Sequence, residues 1–189
     1  MKNILITITL VLTTILIPAQ KLTLDPNHAK LKFDVTHMTI STIDGEFKKF
    51  WVDLDFNNPD FSDVKFTVIS DINSIDTGIE ARDKHLKSAD FFDAEKYPKL
   101  KFISTSIIKE KKDNYELKGN LTLHGITKPV SLKVKYNGSI LNPMTNLKTY
   151  GFTISGRFKR SDFEIGNNFP ENIVSDYVNI YSNLEFTAN

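Results

Sequence analysis

Apolar and polar residues alternate with a period of two through most of the chain. Leu31, Phe33 and Val35 face away from Lys30, Lys32 and Asp34. Val52, Leu54 and Phe56 oppose Asp53 and Asp55, and Val64, Phe66 and Val68 oppose Lys65 and Thr67. Further on, Tyr115, Leu117, Leu121 and Leu123 alternate with Glu116, Lys118, Asn120 and Thr122, and Val130, Leu132, Val134 and Tyr136 with Ser131, Lys133 and Lys135. Residues 150–158 place Phe152, Ile154 and Phe158 on one side, and residues 178–186 place Ile180, Leu184 and Phe186 inward. Successive strand side chains point to opposite faces, so this pattern predicts strands with one dry and one wet face.

One segment breaks the alternation. In residues 76–93, Gly78 marks a turn, and Ile79, Leu86, Phe91 and Phe92 are spaced to clamp a short helical excursion onto an apolar surface. Turn-forming clusters separate the strands at Asn57-Asn58-Pro59-Asp60, Lys111-Lys112-Asp113-Asn114, Asn142-Pro143-Met144 and Asn167-Asn168-Phe169-Pro170. About eight long antiparallel strands must hide their edges, and closure into a barrel does so completely. The expected fold is therefore all-β: an eight-stranded antiparallel barrel, with the helical excursion after its third or fourth strand. A two-sheet sandwich would bury the same pattern and stays open here.

A barrel of this size either fills with side chains or leaves room for one ligand. The 14 Phe residues suit both outcomes. Gly119 lies in phase with Leu117 and Leu121, and Gly156 with Ile154 and Phe158, so a side chain is missing twice on the inner face. That reads as space for a ligand or as a strand bend.

The amino terminus reads as an export signal. Met1-Lys2-Asn3 precedes an apolar run at 4–17 and then Pro18-Ala19, with cleavage expected after Ala19. The run is shorter than the roughly 20 residues needed to span a bilayer. Residues 20–189 would then form one domain in the periplasm or outside the cell, with no stable membrane anchor after signal cleavage. The formal charge is +1, and with Lys2 in the leader the remainder carries 23 residues of each sign. Such a balance gives no global field for nucleic acid. Cysteine is absent, so stability must come from burial.

Candidate chemistry is sparse. His28, His37, His85 and His124 form no close pair, and no Cys is available to complete a metal site. No Gly-x-Ser-x-Gly elbow and no glycine-rich phosphate loop is present. The basic run at 109–112 is interrupted by Glu110 and reads as a solvated hairpin tip. Within the helical excursion, Arg82 and His85 would lie near a cavity mouth. There Arg82 or Arg160 could pair with Asp76 or Asp90, or meet the polar head of a ligand.

Several phrases carry a family resemblance. They are Leu24-Asp25-Pro26-Asn27-His28, Val35-Thr36-His37-Met38, Gly45-Glu46-Phe47, the 76–93 segment, Lys101-Phe102-Ile103-Ser104-Thr105 after Tyr97-Pro98, the stretch from Gly119 to Val130 containing His124-Gly125, and Arg160-Ser161-Asp162-Phe163. In this order they resemble the YceI family of bacterial lipid-binding barrels. The family often has Gly after the last phrase, where this chain has Glu164. The resemblance implies a lipocalin-like barrel around a polyisoprenoid, an isoprenoid quinone or a fatty-acyl or amide compound, with no cofactor and no catalysis; a homodimer stays open. An enzyme acting on a lipid or quinone, or a ligand-free interaction module, are the alternatives. With the strand phase, the resemblance assigns to an apolar cavity Phe33, Val35, Phe66, Val68, Phe102, Leu117, Gly119, Leu121, Val134, Phe152, Ile154, Gly156 and Phe158. It assigns to the head group or lid Arg82, His85, Phe91, Phe92 and Arg160.

Overall fold

The computed structural model describes residues 20–188. The expected signal segment and its cleavage site after Ala19 therefore lie outside the described residues. Eleven strands form one antiparallel sheet: β1 (Gln20–Leu24), β2 (Lys30–His37), β3 (Ser41–Phe47), β4 (Phe50–Phe56), β5 (Lys65–Asp71), β6 (Ile75–Asp76), β7 (Lys99–Lys111), β8 (Asn114–Leu123), β9 (Ile126–Leu141), β10 (Lys148–Lys159) and β11 (Tyr177–Ala188). The helix α1 (Glu80–Lys87) lies between β6 and β7.

Closure is visible in the pairing. β1 pairs with both β4 and β11, which joins β1, β4, β5, β7, β8, β9, β10 and β11 into an eight-stranded ring. Three ring strands precede α1: β4 and β5, which the alternation predicts, and β1, which it does not; the alternating segment at 31–35 forms β2 instead. β11 pairs with β1 at 186–188 and with β2 at 179–183, so the β2–β3 hairpin extends the wall at one end. The two-residue β6 pairs with β3 and leads the chain towards α1. Among the described residues no helix is long and apolar enough to cross a membrane.

Filling and hollowing both occur, at opposite ends. At the end where β4 stops and β5 starts, an aromatic plug occupies the interior. Phe61 comes from the β4–β5 loop, with its backbone at φ +59, and its ring meets Phe56 at 4.9 Å, Tyr136 at 4.8 Å and Phe152 at 5.4 Å. Tyr115 joins this group, and its hydroxyl donates to the Asp60 carbonyl at 2.9 Å. Phe66 lies against Phe152 and Phe186 at 6.2 and 6.4 Å and forms the floor of the other half. Edge-to-face pairs of this kind each contribute about 0.5–1.5 kcal/mol beyond their buried area.

The helix departs from the expected clamp in one residue. Leu86 and Phe92 pack against the core and Phe91 is buried, but Ile79 is exposed at the helix N-cap, where it supplies no side-chain hydrogen bond.

Candidate functional site

Above the Phe66 floor the barrel encloses a cavity of about 410 Å³. That is within the range of roughly 300–1,000 Å³ typical of small-molecule sites. Its wall is apolar because the inward phases of β2, β5, β7, β8 and β10 bring Phe33, Val35, Phe66, Val68, Phe102, Leu117, Leu121, Ile154 and Phe158 together, as their strand positions predict. Further wall comes from Val130 and Leu132 of β9 and from Val178 and Ile180 of β11. Their alternation is visible in the sequence.

Four predicted cavity residues do not border it. Phe152 belongs to the aromatic plug, and Val134 is buried outside the cavity wall. Gly119 and Gly156 leave no open space either. A Cβ at Gly119 would lie 2.4 Å from Phe102 Cζ and 2.6 Å from the Ile103 carbonyl oxygen, while one at Gly156 would lie 2.5 Å from Leu132 Cδ2. Each glycine admits a large side chain from the neighbouring strand, and that side chain lines the cavity in its place. Neither has a positive φ, but β7 shifts register between Ser104 and Ser106, directly opposite Gly119, so an irregularity of the sheet accompanies that glycine.

Two irregular segments roof the cavity. One is α1 with the turn after it, which contributes Arg82, His85, Leu86, Phe91 and Phe92. The other lies between β10 and β11 and contributes Arg160, Ile165, Phe169, Ile173 and Val174. Phe91 and Phe169 stack across the junction at 4.8 Å, and His85 sets its ring edge against them at 5.1 and 5.7 Å. Glu164, where the family often has glycine, adopts the left-handed conformation at φ +57 after the turn Ser161–Phe163.

The two arginines behave differently from the expected carboxylate pairs. Arg160 is only 5% exposed, and all of its acceptors are backbone carbonyls. Nε donates to Ser175, Nη1 to Ile165 and Gly166, and Nη2 to Phe169 and Val174. Five N–H groups meet five oxygens, so the guanidinium knots the 160–176 segment together and has no donor left for a ligand. Arg82 donates Nε to Thr77 Oγ1 at 2.7 Å and Nη2 to the Thr77 carbonyl at 2.6 Å. Thr77 Oγ1 in turn donates to Asp83 Oδ1 at 2.5 Å. Neither arginine pairs with Asp76, which meets Lys48, or with Asp90, which meets His85 Nε2 at 3.2 Å.

The polar capacity at the mouth is therefore Arg82 Nη1, His85 and His37. His37 borders the cavity, and its ring has no hydrogen-bond partner among the described residues. It continues the inward phase of Phe33 and Val35, the signal that could have identified it. Ile173, Val174 and Phe169 carry no such signal because their segment has no regular period.

Near the roof, burial pushes the Asp176 carboxyl up, but hydrogen bonds from the Ser161 N–H and hydroxyl, with the Lys159 and Arg160 charges, hold it below its ordinary 3.8. One group with metal-compatible spacing exists among the described residues: Asp25, His28 and Glu185, whose ligand atoms lie within 4.8 Å of one another. It lies outside the cavity, and its geometry has a local cause. Asp25 caps the turn Pro26–His28 through the Asn27 N–H and binds His28 Nδ1 at 2.8 Å.

The YceI-like domain model matches residues 22–186. Protein YceI of Salmonella newport (strain SL254) is 39% identical over 145 residues, which cover 77% of this chain and 75% of that protein. Among solved structures, BcnA of Burkholderia cenocepacia superposes with a TM-score of 0.77 at 25% identity, covering 86% of this chain and 98% of that one. A polyisoprenoid binding domain from Saccharophagus degradans superposes with a TM-score of 0.63 over 91% of this chain and 100% of that one; at 15% identity the likeness is one of fold.

Proposed function

The chain belongs to the YceI-like family, and from that membership and the half-hollow barrel we propose that it sequesters or carries a long-chain amphiphile outside the cytoplasm. The observation that carries this reading is the roofed, largely apolar cavity above the Phe66 floor, in which the wall hydroxyl of Ser182 is already bonded to the Lys30 carbonyl and Arg82, His85 and His37 stand at the mouth. A tail in that cavity gains roughly 0.8 kcal/mol per buried CH₂ before ordering costs. The tail class that fits is an isoprenoid, an isoprenoid quinone or a fatty-acyl or amide chain. The Saccharophagus domain is described as polyisoprenoid binding, and its likeness to this chain supports the barrel. The head would meet Arg82, His85 and His37 at the mouth.

Binding is favoured over turnover by the state of those groups. A nucleophile or general base needs a partner that orients it. His85 has such a partner in Asp90, but among the described residues its ring makes no bond to a serine or threonine hydroxyl that it could activate; Arg82 is held by Thr77, and His37 has no carboxylate or hydroxyl partner. Organic extraction of protein from a native-like source, followed by mass spectrometry, tests the reading: a stoichiometric long-chain compound is expected, and repeated lipid-free extracts overturn it. Export is part of the proposal and rests on Met1-Lys2-Asn3, the 4–17 run and Pro18-Ala19. Intact mass should give Gln20 as the first residue, whereas a cytoplasmic species starting at Met1 contradicts export.

A further inference from the structure

We propose that the mouth of the barrel docks on the surface of a lipid bilayer through Met38, Ile40 and Ile79, so that cargo crosses between membrane and cavity without passing through water. The inference rests on the carrier reading above.

The turn joining β2 to β3 consists of Met38, Thr39 and Ile40, closed by the His37–Ser41 pair. Ile40 is 85% exposed and Met38 49%. Met38 and Thr39 both have positive φ, at 49° and 61°, a conformation that non-glycine residues seldom hold, β-branched ones least of all. Three hydrogen bonds keep it: Met38 N–H to the Ile173 carbonyl at 2.9 Å, Ile40 N–H to the His37 carbonyl at 3.2 Å, and Thr39 Oγ1 to the Met38 carbonyl at 2.6 Å. The turn is thus tied to the roof segment, and its large apolar side chains are held in solvent. The residues flanking it, His37 and Ile43, border the cavity. From 38 to 43 the chain carries no charge, although a quarter of all its residues are charged.

Ile79 approaches the same rim beside β3. β6 pairs with β3 at Asp76–Glu46 and runs antiparallel to it, so the chain continues past Thr77, another cavity-bordering residue, towards the level of Ile43. Ile79 is 53% exposed and occupies the N-cap of α1 without making a cap bond. Ser, Thr, Asp or Asn would serve the helix better there. At both places local backbone preference is set aside, and an apolar side chain is what stands exposed.

The occupant follows from what the cavity would release. A tail leaving into water is disfavoured by about fourfold per exposed methylene, so the mouth must meet a medium as apolar as the tail. The exposed charged residues of α1 include Glu80 and Lys84, one of each sign, which matches a zwitterionic surface rather than an anionic one. The β9–β10 tip provides a control: Ile140, Leu141 and Met144 are also exposed, but at the plugged end, where no cavity opens.

The test is transfer of a dansyl-labelled polyprenol from phosphatidylcholine vesicles to the full mature chain. Ile40→Asp combined with Ile79→Asp should slow transfer tenfold or more, while the amount of probe taken up from detergent solution stays unchanged. Met144→Asp should transfer at the wild-type rate. Wild-type transfer by the Ile40/Ile79 variant, or slowing by Met144→Asp alone, overturns the docking surface and leaves the carrier reading standing. Failure of the wild type to take up probe from detergent overturns the carrier reading itself. Since all three residues are exposed, no variant should melt below wild type, and the variant with Ile79→Asp, which supplies the missing helix cap, should melt at or above it.

Discussion

Phe91 and Phe169 stack at 4.8 Å with their planes 25° apart, and this contact joins the two segments that roof the cavity. Gly166 makes it possible: it stands at φ +62, and a Cβ there would lie 2.7 Å from Phe91 Cε1. Phe169→Ala removes a ring pair worth about 0.5–1.5 kcal/mol and should speed release of a bound polyprenol roughly three- to tenfold. Phe91→Ala empties a buried site as well and should cost about 3 kcal/mol of stability. Stopped-flow release and denaturant melts of the two variants check both values. Equal release rates in wild type and Phe169→Ala would show that the roof does not retain the ligand.

Arg160 and Arg82 separate structure from recognition. An ammonium cannot reproduce the five-donor fork, so Arg160→Lys should cost about 3 kcal/mol by leaving buried carbonyls unpaired. Head-group preference among ligands that still bind should not change. Arg82→Ala should stay within about 1 kcal/mol of wild-type stability, because its side chain is half-exposed, yet alter the preference between a polyprenol and a fatty amide. Competition binding with the two ligands decides it.

The two in-phase glycines should respond differently to alanine. At Gly119 the new methyl meets a backbone oxygen at 2.6 Å as well as the Phe102 ring, and overpacking of that kind costs about 2–3 kcal/mol. At Gly156 the nearest atom is the tip of Leu132, and the backbone contacts are 3.4 Å or longer. Leu132 can turn aside, so Gly156→Ala should cost about 1 kcal/mol or less. Urea melts that rank the two substitutions the other way would contradict the packing described here.

Acid should loosen the roof through Asp176. Its carboxyl is held below 3.8 in the folded protein by the Ser161 donors and the nearby cations, against the effect of burial. A lowered folded value means that the stabilisation is fully present above the unfolded value and is lost as pH falls through the folded one. Stability should therefore decline below about pH 4, and Asp176→Asn should flatten part of that decline. A variant with the same acid profile as wild type would remove Asp176 from the explanation.

Strand alternation made the barrel legible, because each ring strand buries one face only. β7 was harder to read: its register shifts between Ser104 and Ser106, and Ile103 and Ile108 face solvent, so period two is broken midway. The phase of Gly119 and Gly156 was readable, but what covers them was not, since Phe102 and Leu132 arrive from neighbouring strands. Arg160 is opaque in sequence for another reason. Its partners are carbonyl oxygens, which every residue type supplies, so no side-chain pattern announces them. Phe61 reaches the plug from a left-handed position in a loop, beyond any periodic rule.

Whether the open half of the barrel is a binding chamber is decided most directly by titrating a dansyl-labelled polyprenol into delipidated wild type and into Val68→Phe. Val68 borders the cavity and is half-buried, so phenylalanine there adds volume to the chamber and leaves the plug untouched. One molecule should bind per wild-type chain, and at least tenfold weaker binding is expected for Val68→Phe with its fold intact by circular dichroism. Equal affinity for the two proteins, or no saturable binding to wild type, would contradict a ligand held above Phe66.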